Sequence, residues 1–187
     1  MQRRAFITAG TIAAAVSLGS LLPGRARGVA GTHDEAAAIA AAWRELYPAG
    51  ETPVAPTPAI ERSAKAWREK LPREAWLVLF EEDTERPHSS PLNNEKRDGV
   101  YVCRACGLAL FTSAMKYDSG TGWPSFFTAI PGHLDTKTDL KLIWPRTEYH
   151  CVKCGGHQGH VFDDGPAPTG ERWCNNGVAL RFLPQAG

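Results

Sequence analysis

Two short stretches, Cys103-Arg-Ala-Cys106-Gly107 and Cys151-Val-Lys-Cys154-Gly155, decide the fold of this 187-residue chain. In each stretch, two cysteines are separated by two residues and are followed at once by glycine. The glycine permits the positive φ of a tight turn that lets both thiolates of a pair face one ion. Two pairs supply the sulfur ligands of a closed tetrahedral zinc site. We therefore predict one structural zinc ion per chain, bound by Cys103, Cys106, Cys151 and Cys154.

The cysteine pairs have other interpretations. An exported protein could hold each pair as a disulfide, but a disulfide within such a pair closes a very small loop and adds little stability. A redox-active dithiol of the thioredoxin kind needs a βαβ context, which the sequence does not indicate. His33-Asp34-Glu35 matches part of a zinc-deaminase motif, but no proline precedes either pair. We therefore reject the deaminase class.

Short β-prone runs surround the two pairs. They cover residues 76–80, 100–102, 140–144, 148–151 and 178–183. Turn signals such as Asp98-Gly99 and Asn176-Gly177 separate them, which predicts small antiparallel sheets and not a βαβ array.

Helical patterns precede these runs. Residues 34–47 and 63–71 are predicted helices, with Ser63 as an N-cap and a proline-rich linker at 48–58. The predicted fold is mainly β, with two small antiparallel sheets, N-terminal helices and a four-cysteine zinc site. In this organisation, residues 31–60 form a helix and linker, and residues 61–187 form the main domain.

Residues 1–30 have the pattern of an export signal. Arg3 and Arg4 precede Phe6 and an alanine-rich apolar stretch, which Pro23-Gly24 ends. This pattern is similar to a twin-arginine signal peptide, and we expect cleavage after Ala30. The mature protein is then expected outside the cytoplasm, periplasmic or otherwise extracytoplasmic, without stable insertion in a membrane. An uncleaved membrane anchor is the alternative, although the apolar stretch is barely long enough.

Charge and cysteine count narrow the function. The formal net charge is +1, with 21 basic and 20 acidic residues, so no nucleic-acid partner is expected. Cys174 is the one cysteine of five that lies outside the pairs, which makes it the candidate nucleophile. Its other interpretation is a buried structural thiol. Arg172 would face the same side of a strand and favour the thiolate, unless it is simply a surface charge.

Four further residues could complete a site around Cys174. His157 and His160 are three positions apart and could donate a proton near neutral pH, or they could join the zinc ligands. Trp123 could form an aromatic wall, or it could belong to the core. Asn176 could bind substrate, although Asn-Gly is also a plain turn signal.

The motifs around these residues resemble those of the B-type methionine sulfoxide reductases, from about residue 67 to residue 182. The relevant stretches are Ser119-Gly-Thr-Gly-Trp-Pro-Ser-Phe126, Cys154-Gly-Gly-His-Gln-Gly-His-Val-Phe162 and Arg172-Trp-Cys-Asn-Asn-Gly177. Thr84-Glu-Arg-Pro87 and Asn94-Glu-Lys-Arg-Asp-Gly-Val-Tyr101 also match. In that family the corresponding positions are a cysteine nucleophile at Cys174 and pocket residues at Trp123, His157, His160, Arg172 and Asn176.

The resemblance implies a reaction and its partners. The substrate is methionine R-sulfoxide, peptide-bound and also free. Cys174 attacks the sulfoxide sulfur, a histidine protonates the oxygen, and Cys174 becomes a sulfenic acid. An external thiol, such as a thioredoxin-like protein, then restores the cysteine. The chemistry itself requires a thiolate, a proton donor and an apolar wall for the S-methyl group, which are the residue types found here.

Two positions depart from the family pattern. Gln158 replaces the apolar residue that is common between the histidines, and Thr121 stands where many relatives have a second, resolving cysteine. The alternative function is a non-catalytic zinc-ribbon interaction module or redox-sensing module. A thiol–disulfide exchanger is a further alternative, but it needs one pair free of metal. A non-catalytic module leaves Cys174 and the histidine pair unexplained.

Overall fold

The computed structural model describes residues 32–140 and 144–185. The predicted signal peptide at 1–30 lies outside the described residues, as do residues 141–143 of the predicted strand at 140–144. The two described ends of that strand, Leu140 and Trp144, are exposed and lie outside any strand. Among the described helices, none has both the length and the apolar character needed to cross a bilayer.

The predicted N-terminal helices are confirmed. Helix α1 (His33–Ala41) continues into a 3-10 turn, Ala42–Leu46, and α2 spans Ala64–Arg68. The hydroxyl of Ser63 accepts the backbone N–H of Ala66, which satisfies one of the unpaired donors at the start of α2.

The predicted strand at residues 76–80 is wrong, because these residues lie in helix α3 (Arg73–Glu81). Ala75, Val78 and Leu79 are buried, at the spacing of one helical face. A short, continuously apolar run has no decisive periodicity, so the surface that covers it determines its structure. Here that surface includes the turn of the second cysteine pair, since a Cβ added at Gly156 would lie 2.9 Å from Leu79.

The first sheet contains three antiparallel strands in the order β2-β1-β9 within the described residues. The strands are β1 (Gly99–Cys103), β2 (Ala109–Thr112) and β9 (Leu180–Pro184). Every residue of β1 and β2 is buried. The predicted strand at 100–102 is therefore confirmed, whereas the one at 178–183 begins at Leu180, after a 3-10 turn at Gly177–Ala179.

The second sheet contains six antiparallel strands in the order β3-β4-β8-β7-β6-β5, again among the residues described. They are β3 (Lys116–Tyr117), β4 (Ser125–Phe126), β5 (Leu134–Asp139), β6 (Arg146–Cys151), β7 (His157–Phe162) and β8 (Arg172–Asn175). The predicted strand at 148–151 lies in β6. The predicted fold class, mainly β with two antiparallel sheets and N-terminal helices, is confirmed.

Aromatic side chains join the two sheets into one core. Phe111 of the first sheet stacks on Phe126 of the second, with ring centroids 4.1 Å apart. Tyr149 and Trp173 extend this contact on the second sheet, with centroids 4.9 Å apart. Trp173 precedes Cys174, so the core supports the strand that positions the candidate nucleophile.

The segment before the main domain crosses the cysteine pairs. Ile60 donates its backbone N–H to the carbonyl of Lys153 at 2.6 Å, and the Lys153 ammonium donates to the carbonyl of Pro58 at 2.8 Å. The same segment also contacts the first cysteine pair, since a Cβ added at Gly107 would lie 3.4 Å from the Val54 side chain. Lys153 lies between Cys151 and Cys154, so this segment covers part of both cysteine turns.

Candidate active site and metal centre

The four paired cysteines come together where the two sheets meet. Their sulfur atoms all lie within 4.8 Å of one another, with Cys103 and Cys154 at 3.6 Å and Cys106 and Cys151 at 3.5 Å. Sulfur atoms placed about 2.3 Å from a tetrahedral zinc are about 3.8 Å apart. The donor set and its spacing therefore fit a structural zinc ion, as predicted.

The glycine turns form as expected. Gly107 and Gly155 have φ values of 80° and 72°. Each donates its backbone N–H to the backbone carbonyl of the first cysteine of its pair, Gly107 to Cys103 and Gly155 to Cys151, both at 2.8 Å. Because one pair follows β1 and the other follows β6, the zinc ion ties the two sheets together. This explains the long interval between the pairs in the sequence.

The residue between the two histidines of β7 contacts the metal centre. Gln158 is fully buried and donates its amide N–H to the Cys103 sulfur at 3.4 Å. The apolar residue common at this position could not make that hydrogen bond. Neither histidine belongs to the cluster of metal-binding side chains found in the described residues.

A cavity of about 120 Å³ opens over β7 and β8. It brings together Cys174, His160, Trp123, Asn176, Arg146 and Phe162. His160 and Cys174 are register partners on the two strands, so both side chains point to the same face of the sheet. Of the six residues predicted for the site, the cavity therefore collects four, namely Cys174, His160, Trp123 and Asn176.

The surroundings of Cys174 act on its thiol in opposite directions. Burial raises the pKa of the Cys174 thiol, while the positive charge of Arg172 and a hydrogen bond from the Thr121 hydroxyl lower it. The balance leaves the pKa above its ordinary value. Arg172 is therefore placed to favour the thiolate that a nucleophile requires.

Arg172 is held in place and is not a simple surface charge. Its Nε and Nη2 atoms donate to the two carboxylate oxygens of Asp164, at 2.7 and 2.9 Å. Its guanidinium lies over the Phe162 ring, 4.2 Å from the ring centroid. Arg172 does not line the cavity described above, but its charge and a side-chain hydrogen bond both lower the pKa of Cys174.

The two histidines are each paired with a carboxylate. His160 Nε2 lies 2.9 Å from Asp139 Oδ2, and Arg146 donates to the same oxygen at 2.6 Å. His157 Nδ1 lies 2.9 Å from Glu148 Oε1, without the alignment of a hydrogen bond. Burial lowers the pKa of both histidines, and the neighbouring carboxylate offsets this in part.

The histidines differ in their access to the cavity. His160 lines it, whereas the more deeply buried His157 does not. Their rings lie edge to face, with centroids 5.4 Å apart. His160 is therefore placed to meet a bound substrate, and His157 is placed to support it.

Trp123 and Asn176 are both attached to the loop around Glu85. Trp123 donates its indole N–H to the Glu85 carbonyl at 3.1 Å. The Asn176 side chain accepts the Glu85 backbone N–H at 3.0 Å and donates to the Gln158 carbonyl at 3.1 Å. Asn176 therefore lines the cavity while both ends of its amide bind the protein itself.

Sequence reasoning missed several residues that shape the site. The Glu85 carboxylate accepts the backbone N–H groups of Gly177 and Val178, at 2.6 and 2.9 Å. Burial raises the pKa of this carboxyl group despite those hydrogen bonds. Glu85 lies in one of the matched motifs, so its place in the sequence was a usable signal. Asp139 had no such signal, because its contact with His160 spans 21 positions.

Comparison with known proteins agrees with this geometry. Residues 71–184 match the SelR domain. The chain is 48% identical over 125 residues to the "Peptide methionine sulfoxide reductase MsrB" of Methanosarcina barkeri, covering 66% of this chain and 88% of that protein. It is 45% identical over 129 residues to the MsrB of Agrobacterium fabrum, covering 68% of this chain and 96% of that protein.

A third relative gives the same result. The MsrB of Bradyrhizobium diazoefficiens is 47% identical over 127 residues, which cover 67% of this chain and 91% of that protein. The matched SelR region begins after the segment that crosses the cysteine pairs. With a fitting four-cysteine centre and with Cys174 opposite His160, the chain belongs to the SelR domain family of B-type methionine sulfoxide reductases.

Proposed function

We propose that this protein is a peptide-methionine (R)-S-oxide reductase, which uses an external thiol to convert methionine R-sulfoxide in proteins and peptides to methionine. The observation that carries the proposal is the pairing of Cys174 with His160 at a cavity that Trp123 and Phe162 also line. Membership of the SelR domain family supports the same activity. A non-catalytic zinc module would leave this cavity without a role.

The reaction follows from the positions of these groups. The Cys174 thiolate attacks the sulfoxide sulfur, and the His160 imidazolium protonates the sulfoxide oxygen. The protonated oxygen then transfers from the methionine sulfur to the Cys174 sulfur, while the sulfur–sulfur bond formed in the attack breaks. Methionine leaves, and Cys174 becomes a sulfenic acid. Methionine sulfoxide is thereby reduced by two electrons and Cys174 is oxidised by two. An external dithiol then reduces the sulfenic acid and releases water.

Trp123 and Arg172 prepare the two reactants. The indole of Trp123 offers an apolar face to the S-methyl group, and its hydrogen bond to Glu85 fixes the ring. Arg172 stabilises the attacking thiolate, since its charge lowers the pKa of Cys174. The zinc ion, bound by the four paired cysteines, supplies structural stability and takes no part in the chemistry.

The test uses both sulfoxide epimers with a dithiol reductant. Wild-type protein should reduce the R epimer, and Cys174→Ala should lose this activity while its near-ultraviolet circular dichroism and zinc content stay unchanged. Reduction of the S epimer alone, or full activity in Cys174→Ala, would contradict the proposal. Elemental analysis of the same samples should find one zinc per chain.

We also propose that the protein is exported. The support is the sequence alone, in which Arg3 and Arg4 precede an apolar stretch. Replacing both arginines with lysine should leave precursor in the cytoplasm, and wild-type protein should have a mature N-terminus near Gly31. Unimpaired export of the double variant would indicate the general secretory route. A membrane-bound chain that still starts at Met1 would indicate an anchor.

The choice of reductant rests on the proposed export and on Thr121. With no cysteine at that position, the sulfenic acid has no neighbouring thiol to resolve it. We infer that a thioredoxin-like protein of the same compartment supplies the electrons through a mixed disulfide with Cys174. Trapping that disulfide with a partner lacking its second cysteine tests the inference, and failure of every dithiol protein of that compartment to support turnover would exclude it.

A further inference from the structure

A second hollow adjoins the catalytic cavity. Its volume is about 600 Å³, against about 120 Å³ for the cavity. The two share Arg146 and Phe162 in their walls, so they lie next to each other. The cavity has room for a single side chain, and a polypeptide whose oxidised methionine enters it must continue into an adjoining surface. The hollow is such a surface.

The structure assigns this hollow to the substrate polypeptide: we propose that it binds the residues next to the oxidised methionine and favours a basic residue among them. This rests on the proposed function, because the methionine sulfoxide must occupy the neighbouring cavity. The hollow then determines which oxidised methionines are repaired fastest.

The charges of the hollow support a basic ligand. Asp163 and Glu171 are exposed and lie in its wall. The cation among its lining residues is Arg146, which donates to the Asp139 carboxylate at 2.6 Å. Its positive charge is thus already countered, and the open wall is negative. A lysine or arginine side chain is the complementary partner.

The apolar part of the hollow suits the body of a peptide. Pro145, Val161 and Phe162 contribute to its lining. Trp144 immediately precedes Pro145 and is 79% exposed, which makes it one of two exposed large hydrophobic residues in the part of the chain that the structure describes. An exposed tryptophan next to a groove is a common anchor for a bound chain.

Short peptides with a central methionine R-sulfoxide test the proposal. The flanking residues are lysine in one peptide and glutamate in the other, and a capped single methionine R-sulfoxide is the reference. We expect wild-type protein to show a kcat/KM roughly threefold to tenfold higher for the lysine peptide at low ionic strength, as pairs of exposed charges give. Added salt should reduce that ratio.

A charge-removing variant locates the preference. Asp163→Asn with Glu171→Gln keeps the shapes of both side chains and should abolish the preference for lysine. The matched control is Glu69→Gln with Glu74→Gln, which removes the same charge from outside the hollow and should keep the preference. Trp144→Ala should lower kcat/KM for both peptides relative to the capped reference, by roughly twofold to tenfold for one lost aromatic contact.

The outcomes separate this proposal from the proposed function. Equal kcat/KM for the two peptides in wild-type protein, or an equal preference in both double variants, would show that the hollow does not select a basic residue. The proposed reductase activity would not be affected. If the Asp163→Asn, Glu171→Gln variant keeps the peptide preference but has a higher KM for the dithiol reductant than wild-type protein, the hollow binds the reductant and the proposal is overturned. Inactivity toward the peptides and the capped reference would overturn both.

Discussion

His160 and Cys174 are register partners on the neighbouring antiparallel strands β7 and β8. Residues paired in this way have Cβ atoms about 5 Å apart on one face of the sheet. The predicted acid and the predicted nucleophile are therefore fixed by backbone hydrogen bonds and not by a mobile loop. The aromatic core beneath β8 adds to this rigidity, because Trp173 packs against Tyr149.

This pairing predicts that His160→Asn lowers kcat. The loss should be roughly a hundredfold to ten-thousandfold, the usual range for a general acid, with KM nearly unchanged. His157→Asn is the matched control. It should cost less activity but about 1 kcal/mol of unfolding free energy, because the buried Glu148 loses His157 and keeps Lys137 as an ionic partner. Steady-state kinetics and urea unfolding measure both variants, and a larger kcat loss in His157→Asn would refute the assignment.

Arg172→Gln should make Cys174 less reactive at neutral pH. The Arg172 charge lowers the pKa of Cys174, so its removal raises that pKa further. The thiolate is the deprotonated form, and it will then appear only at higher pH. The rate of alkylation by iodoacetamide, measured against pH, should shift to the alkaline side, and activity should recover in part as pH rises.

Asp164→Asn tests the sign of this effect. The Asp164 carboxylate raises the pKa of Cys174, so its removal should move the alkylation curve toward lower pH. If the alkylation curve moves in the same direction in Arg172→Gln and in Asp164→Asn, then the pKa of the Cys174 thiol depends on the ion pair as a whole and not on the separate charges of its two members.

The recycling step depends on Thr121. Its hydroxyl hydrogen-bonds to Cys174, and thiolates bound to zinc are poor resolving groups because their electron density is committed to the metal. After one turnover without reductant, intact mass should show one added oxygen, trapped by dimedone at Cys174, with zinc retained. Thr121→Cys should instead show loss of two hydrogens, from a disulfide with Cys174.

One result would contradict the expected sulfenic acid. Loss of two hydrogens together with zinc release from the wild-type chain would show that a paired cysteine resolves the sulfenic acid. Persistence of the added oxygen in wild-type protein also predicts over-oxidation to sulfinic acid when the reductant is scarce.

The segment that crosses the metal centre should slow zinc loss. Ile60→Pro removes the N–H that donates to Lys153 at 2.6 Å, and we expect a cost of about 1 kcal/mol in unfolding free energy. Because Lys153 lies within the second cysteine pair, zinc should also transfer faster to a colorimetric chelator. Ile60→Ala keeps the N–H and serves as the control. Equal transfer rates in the two variants would exclude the contact as the cause.

Local signals in the sequence were sufficient for the metal centre and the candidate nucleophile. The spacing of the paired cysteines and their glycines identified the ligands, and Cys174 followed as the cysteine outside them. The helix at 63–71 was predicted from its cap, Ser63, and Arg172 was placed on the face of Cys174 from the period of a strand. The spacing within each pair, the helix cap and the strand period depend on residues close together in the chain, where covalent geometry limits the conformations.

Tertiary structure decided what depends on contacts between distant residues. Residues 76–80 are helical because one face of α3 is buried, and an apolar run alone does not specify that face. Likewise, only the folded chain brings Asp139 to His160 and joins the cavity to the adjoining hollow through Arg146 and Phe162. Burial of a helix face and pairing of distant side chains arise only when separate segments meet, so their free energies depend on both segments. A residue's own neighbours in the sequence cannot encode them.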